Sequence, residues 1–351
     1  MDSVRGIFVG DIGITEKLYN IYLERGTVVE SKIVDMINGA DFSVGNFEFP
    51  LTHKMKPEKI FSRYNFVSKP HYIAAISNLN FSTFSLANNH ITDWGLEGIQ
   101  TTKALLSTIT KFEAPGCGIN VDEALKPSVF KVKGINFALF SVCDKKVSNA
   151  KKNKYGSAPF NLRRIADLIS KYKQIVNHII VFVHWGIEYC SYPSPDQIKK
   201  AHKLIDAGAT LVVGSHPHIL QGIQRYKNGL VAYSLGNFIF DTNLDIKPRY
   251  ESWELSHYSV ILEVVFDRSS IVEYDTIPIY IDNYGITRLA DTQISEKVKL
   301  HLEKITMGLG NSSLFYLNAF EDIKDREKKA WFEKFKKKPL KTLFTFIKSI
   351  R

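Results

Sequence analysis

Apolar positions in this chain come in short unbroken runs, such as Ile7-Phe-Val, Phe42-Ser-Val and Ile179-Ile-Val-Phe-Val. Between them lie longer stretches with apolar residues three and four apart. The runs read as buried strands and the stretches as amphipathic helices. Strands are expected at Gly6–Gly10, Phe42–Asn46, Phe81–Ala87, Asn136–Val142, His178–His184, Thr210–Gly214 and Leu230–Ser234. Helices are expected near Ile14–Tyr22, Val28–Ile37, Tyr72–Ser77, Gly95–Thr108, Leu162–Tyr172 and Pro195–Ala207. This alternation predicts an α/β fold. From Tyr258 to Ile281 the period shortens, and two strand-like runs flank Asp267-Arg-Ser-Ser. They read as a β-hairpin, expected on the edge of the second half of the sheet.

Five of the apolar runs end in polar clusters: Gly10-Asp11, Asn46-Phe-Glu48, Asn88-Asn-His90, His184-Trp-Gly186 and Gly214-Ser-His-Pro-His218. A strand that stops at such a group presents it at the carboxyl edge of a sheet, where open α/β sheets bind ligands. His216 and His218 suit a pair of neighbouring metal ions, or form a surface loop. Asn89 offers a hard, neutral amide oxygen, and His90 beside it can serve as a general acid. The same residues also fit a turn before the helix at Gly95, with Asp93 as its cap. His184 is either a ligand or a core histidine. Glu188 either orients His184 or a substrate amine, or makes a surface ion pair. Asp11 and Glu48 are the anionic members, able to offset the charge of divalent ions.

Composition narrows the classes. With 351 residues, 44% hydrophobic and 23% charged, the chain is an ordinary globular protein. Cys117, Cys143 and Cys190 are too far apart for a disulfide framework or a zinc knuckle. The first strand begins almost at once, with no room for a signal peptide before Asp11, and no apolar run has membrane-span length. A cytoplasmic protein is expected, peripheral at the inner face of the membrane. Residues 328–351 carry nine Lys or Arg against one acid, so eight of the ten net positive charges sit in the tail. The rest is near neutral, which argues against nucleic acid as a partner. Pro339 divides the tail into two short helices, and Leu340, Leu343, Phe344, Ile347 and Ile350 line one side of the second. That pattern fits either an anchor on anionic lipid or a helix covering the body. Two regions are expected: a main domain over 1–285 and a helical, basic extension over 286–351. No G-x-S-x-G elbow or phosphate-binding G-x-x-x-x-G-K-[ST] loop is present.

Taken in order, the clusters resemble the motif series of the bacterial capsule-synthesis family typified by CapA, a poly-γ-glutamate accessory protein. The motifs stand as Gly10-Asp11, Asn46-Phe-Glu-Phe-Pro50, Ala87-Asn-Asn-His-Ile-Thr-Asp-Trp-Gly95, His184-Trp-Gly-Ile-Glu-Tyr189, Gly214-Ser-His-Pro-His-Ile-Leu-Gln221 and Tyr233-Ser-Leu-Gly-Asn-Phe-Ile-Phe240. The resemblance implies a calcineurin-like metallophosphoesterase fold, a four-layer αββα sandwich. It implies one or two divalent ions (Mn, Zn or Fe) on Asp11, Glu48, Asn89, His184, His216 and His218. It places His90, with Asp93 and Glu188, in the catalytic role, and makes Asn88, Tyr189 and Asn237 candidate substrate contacts. Three positions depart from the pattern. Gly13 stands where the wider superfamily has a histidine, Glu48 where it has a bridging aspartate, and Asn80 where the family has a glycine before its third strand.

The resemblance leads to a metal-dependent hydrolase of capsule or cell-surface polymer biosynthesis. Its substrate would hold a phosphoester, or an amide or ester bond of an anionic polymer. The alternative is a non-catalytic accessory that binds such a polymer or a membrane complex of capsule or polysaccharide synthesis proteins.

Overall fold

The computed structural model describes residues 3–54, 66, 68–241 and 251–319. The chain starts one sheet, leaves it to build another, and returns to finish the first. Strands β1 (Val4–Ile12), β2 (Phe42–Phe47) and β3 (Thr83–Ser85) pair in parallel. Apart from the short pair Cys117–Gly118 and Gly156–Ser157, a small sheet of its own, the strands that follow are β4 (Ser128–Val132), β5 (Ile135–Cys143), β6 (His178–His184), β7 (Leu211–Ser215), β8 (Ile223–Tyr226) and β9 (Gly229–Ala232). They form a second sheet in the order β8-β9-β7-β6-β5-β4. Strands β10 (Asn237–Ile239), β11 (Tyr258–Phe266), β12 (Ile271–Ile281) and β13 (Thr287–Leu289) then complete the first, seven-stranded sheet, six strands in the order β13-β12-β11-β1-β2-β3 and β10 paired with β1. On one edge of β1, β11 covers Val4–Phe8 and β10 covers Asp11–Ile12.

The two sheets bury their inner faces against each other. Phe8, Phe42, Val44, Leu262 and Val264 of the first meet Phe137, Leu139, Ile180, Phe182 and Val213 of the second. Phe137 alone lies 5.0 Å from the Phe42 ring and 5.4 Å from the Phe266 ring, centroid to centroid. Such aromatic pairs add about 0.5–1.5 kcal/mol each beyond simple burial. Outside the first sheet, helices Glu16–Arg25, Ser31–Asn38 and Gly95–Leu106 place Leu18, Ile33, Ile37, Ile99 and Leu106 on Ile7, Val9 and Ile261. Outside the second, helices Leu162–Tyr172 and Pro195–Ala207 place Ile165, Ile169, Ala201 and Leu204 on Phe140, Val142, Val181, Val183 and Val212. The strict alternation of Leu262 and Val264 inward with Ile261 outward is the period-2 signal of a strand buried on both faces. The result is the expected four-layer αββα sandwich.

Two expectations change. The hairpin Tyr258–Ile281 joins the first sheet, not the second, because β11 pairs with the N-terminal strand β1. Asp93 does not cap the helix Gly95–Leu106, whose N-cap is Trp94 without a side-chain bond. The Asp93 carboxylate is taken by His90 instead. Strands β4, β8, β10 and β13 had no distinct signal, nor did the two-residue pair Cys117–Gly118 and Gly156–Ser157. Beyond residue 285, β13 lies at the edge of the first sheet, and helix Thr292–Met307 places Val298, Leu302 and Ile305 in the inter-sheet core. Among the described residues, no helix is long and apolar enough to cross a membrane. The tail helices on either side of Pro339 fall outside the described residues.

Candidate metal centre

Two rows of residues at the carboxyl ends of the sheets converge. In the first sheet Asp11 is in register with Asn46 on β2 and Asn237 on β10. In the second His184 is in register with Ser215 on β7. Parallel neighbours in register point to the same face, so these side chains lie in line. Asp11 accepts from Asn46 Nδ2 at 2.7 Å and from the His216 backbone N–H at 3.2 Å. Its carboxylate is 3.3 Å from His218 Nδ1, which is also 2.9 Å from Asn237 Oδ1. His184 Nε2 is 2.6 Å from Asn89 Oδ1, and His184 Nδ1 is 3.2 Å from Ser215 Oγ. The His184 and His216 rings are 4.6 Å apart.

The two histidines after β7 are aimed by backbone that side-chain-bearing residues seldom adopt. His216 has φ 94° and His218 φ 59°, and Tyr189, whose N–H donates to Pro217 O at 2.8 Å, has φ 60°. Positive φ at non-glycine residues costs on the order of 1–3 kcal/mol and collects at functional turns. Pro217 lies between the two histidines and helps to fix this turn.

Charge in the cluster is poorly balanced by protein alone. Asp11, Glu48, His184 and His216 are almost wholly buried. Burial pushes both carboxyls up, and Asp11, Glu188 and Asp93 push Glu48 well above the usual carboxylate range. His218, Asn46 and the His216 N–H partly offset the rise at Asp11. Burial holds His184 and His216 well below the usual histidine range, so both are neutral, the form that binds metal. Both Glu48 carboxylate oxygens, Asn46 Oδ1 and His216 Nδ1 are buried without a hydrogen-bond partner. Leaving such groups unpaired costs about 1–3 kcal/mol each, more where charged.

A divalent cation would relieve these defects together. Glu48, His184 and His216 offer ligand atoms within 4.8 Å of one another, and so do Asp11, Glu48 and His218. Glu48 belongs to both groups and would serve as a ligand in either. Mixed imidazole and carboxylate donors suit Zn, Mn or Fe. The residues present therefore fit the metals that the motifs imply.

The remaining sequence-derived residues take distinct places. His90 Nδ1 is 2.9 Å from Asp93 Oδ2, and a proton on His90 would place its charge close enough to act on both His184 and His216. Asn88 builds the turn: its Oδ1 accepts from His90 N and its Nδ2 donates to Phe47 O, each at 2.9 Å. Glu188 reaches the centre through its charge on Glu48. The Tyr189 ring lies 6.2 Å from that of His218. Asn237 bonds His218 directly. Gly13 has a local cause: a Cβ there would meet the Phe49 ring at 2.8 Å. Phe49 fills the space that a side chain at position 13 would need.

Sequence reasoning missed Asn46, Ser215, Lys145 and the aromatic wall of Phe66 and Phe240. Asn46 and Ser215 carried a signal, since each ends a strand inside a quoted motif. Phe66 meets the His90 ring edge-on at 4.7 Å, and Phe240 lies 4.7 Å from His218. Lys145 lies between motifs and had no signal.

The family model for the bacterial capsule synthesis protein PGA_cap matches residues 6–242. The PGA biosynthesis protein CapA of Bacillus subtilis (strain 168) is 28% identical over 282 residues, covering 79% of this chain and 72% of that protein. The capsule biosynthesis protein CapA of Bacillus anthracis is 30% identical over 283 residues, covering 78% of this chain and 66% of that protein. Among solved structures, a 5'-nucleotidase precursor from Thermus thermophilus aligns with TM-score 0.42 and 13% identity, over 87% of this chain and 59% of that one. The ordered motifs end the strands of both sheets, and the matched span runs through all of them; the chain belongs to the bacterial capsule synthesis PGA_cap family.

Proposed function

We propose that this protein is a metal-dependent hydrolase of capsule or cell-surface polymer biosynthesis. The observation that carries the reading is Glu48, a buried carboxylate with no hydrogen-bond partner on either oxygen and only His218 Nε2 at 3.7 Å, shared by two ligand groups. Asp11, Glu48, Asn89, His184, His216 and His218 would hold one or two divalent ions. Such ions lower the pKa of water toward neutrality and offset the charge of substrate oxygens. His90 would be the general acid: Asp93 holds its Nδ1–H, leaving Nε2–H to protonate the leaving group. Glu188, Tyr189, Asn88 and Asn237 would shape the substrate side. The bond cleaved is a phosphoester, or an amide or ester of an anionic polymer such as the one named for the CapA relatives. We further infer a main domain over residues 1–285 and an extension over 286–351, whose basic tail holds the protein at an anionic membrane beside synthesis partners.

The test is metal content followed by turnover. The purified full chain should carry stoichiometric Mn, Zn or Fe by elemental analysis. It should cleave a generic phosphoester or a capsule polymer, and chelator should abolish the cleavage. An absence of bound metal after reconstitution would sink the catalytic reading. Stoichiometric metal with no turnover on any of these substrates would favour the accessory role.

A further inference from the structure

We propose that Lys145 binds an oxyanion of the substrate, a phosphoryl or carboxylate group, on the His184–His216 side of the centre. The inference rests on the metal reading above and adds a recognition residue outside the family motifs. Lys145 lies two positions past Cys143, the residue of β5 in register with His184. Between them, the Asp144 N–H donates to His184 O at 2.9 Å, tying this segment to the metal-side strand. Lys145 Nζ donates to the carbonyl oxygen of Gly186, two residues past His184. That carbonyl is fixed in place: Gly186 has φ +86°, and a Cβ there would meet the Gln197 side-chain amide at 2.8 Å. Gln197 is in turn locked by the capping box with Ser194. The ammonium is thus held at the sheet edge on a rigid perch.

Its charge reaches the centre. Of the charges that lower His216, that of Lys145 is the largest, and it also acts on His184. A cation beside imidazoles that take a divalent ion opposes metal binding, because like charges repel. Holding the metal does not require it. The neighbouring acid, Asp144, is paired with Lys200 at 2.7 Å. An anion between the ammonium and the metal position turns this repulsion into attraction on both sides. An ammonium has three donors, and a charge-assisted bond from one of them is among the stronger contacts a protein makes to an oxyanion. Phosphoryl and carboxylate groups share this chemistry, and separate probes tell them apart.

The experiment uses the full chain loaded with Mn²⁺, with metal occupancy measured first by equilibrium dialysis. Calorimetry then follows inorganic phosphate in one arm and γ-glutamylglutamate in the other. The wild type should bind at least one probe. Lys145→Met and Lys145→Gln should each weaken that binding by about tenfold or more, with Mn²⁺ affinity unchanged or tighter. Lys145→Arg should stay within about threefold of wild type. Binding of phosphate alone, or of the dipeptide alone, supports the assignment and identifies the source of the oxyanion. The assignment is overturned if a folded Lys145→Met or Lys145→Gln chain binds within twofold of wild type, or if the wild type binds neither probe. Failure to take up Mn²⁺ overturns the metal reading and this inference together, and it is seen before any anion is added.

Discussion

Replacing Glu48 by Gln should stabilise the metal-free protein and at the same time remove its response to metal. Glu48 is buried with neither oxygen hydrogen-bonded, His218 Nε2 at 3.7 Å, and the charges of Asp11, Glu188 and Asp93 nearby. Gln keeps the shape and removes the charge. The Gln amide stays as buried as the carboxylate, so the gain comes only from losing the desolvated, repelled charge, about 1–3 kcal/mol at pH 8. With an unfolding entropy near 2.1 cal/mol/K per residue over roughly 300 ordered residues, 1 kcal/mol corresponds to about 1.6 °C. The chelated variant should therefore melt about 2–5 °C above wild type. The pH dependence has a definite sign. The folded pKa of Glu48 lies above its unfolded value, so the folded state binds the extra proton. Wild-type stability in chelator therefore falls as pH rises from about 4.3 through the raised value, and the variant lacks that loss. Metal at a hundred times its Kd adds about 2.7 kcal/mol to the wild type, a rise of about 4 °C. In the variant the rise should be under about 1 °C. Differential scanning fluorimetry with chelator and with Mn²⁺, across pH 5 to 8.5, reads all of this. A variant that melts below wild type in chelator at pH 8, or that keeps the full metal response, would refute the assignment of Glu48 as a metal ligand.

The other expectations are simpler. Asp93→Asn and His90→Gln should each lower kcat by about 10²–10⁴-fold while elemental analysis shows unchanged metal; parallel loss of metal would instead make the pair structural. Gly13→Ala should destabilise the fold by about 1–3 kcal/mol through overpacking against Phe49, and Gly13→Ala with Phe49→Leu should recover part of it; equal melting of Gly13→Ala and wild type would remove that explanation. Leu302→Ala should cost about 2–5 kcal/mol in urea unfolding, because Leu302 lies in the inter-sheet core; a cost below about 0.5 kcal/mol would mean the helix packs only loosely. Removing residues 328–351 should abolish flotation with anionic liposomes, and equal flotation of the two chains would dismiss the membrane role of the tail.

What the sequence made legible follows from where its signals are strong. Strands β1, β2, β6 and β7 are apolar runs buried on both sides, and each ends in or beside a ligand-type residue, so both strand and site could be read from one run. Strand β4 alternates buried and exposed residues over five positions, and β10 and β13 are three residues each. Segments this short carry too few positions to show a period. The hairpin was legible, but its sheet was not, because pairing of β11 with β1 joins positions more than 250 residues apart. In the site, Asp11, His184 and the His216-His218 pair stood out because charge or imidazole after an apolar run is conspicuous. Asn46 and Ser215 did not, since a buried amide or hydroxyl looks the same in sequence whether it orients a ligand or closes a turn. Lys145 was hidden for the opposite reason: it sits among Lys146, Lys151 and Lys152, and one lysine among several reads as solvated surface.

The route of β1 has a consequence for how the protein is made. Its Asp11 leaves the ribosome well ahead of β10, the neighbour on one side of that aspartate, which begins at Asn237. At roughly 5–20 residues per second the aspartate waits about 11–45 s for it. The rest of that edge stays open until β11 emerges, a row of unpaired backbone groups that a chaperone or the second half of the chain must cover. Metal capture would then be a late event. A pocket built this way would meet an ion only after both sheets have supplied their residues, so the ion would be chosen by a finished cage and not by the nascent chain.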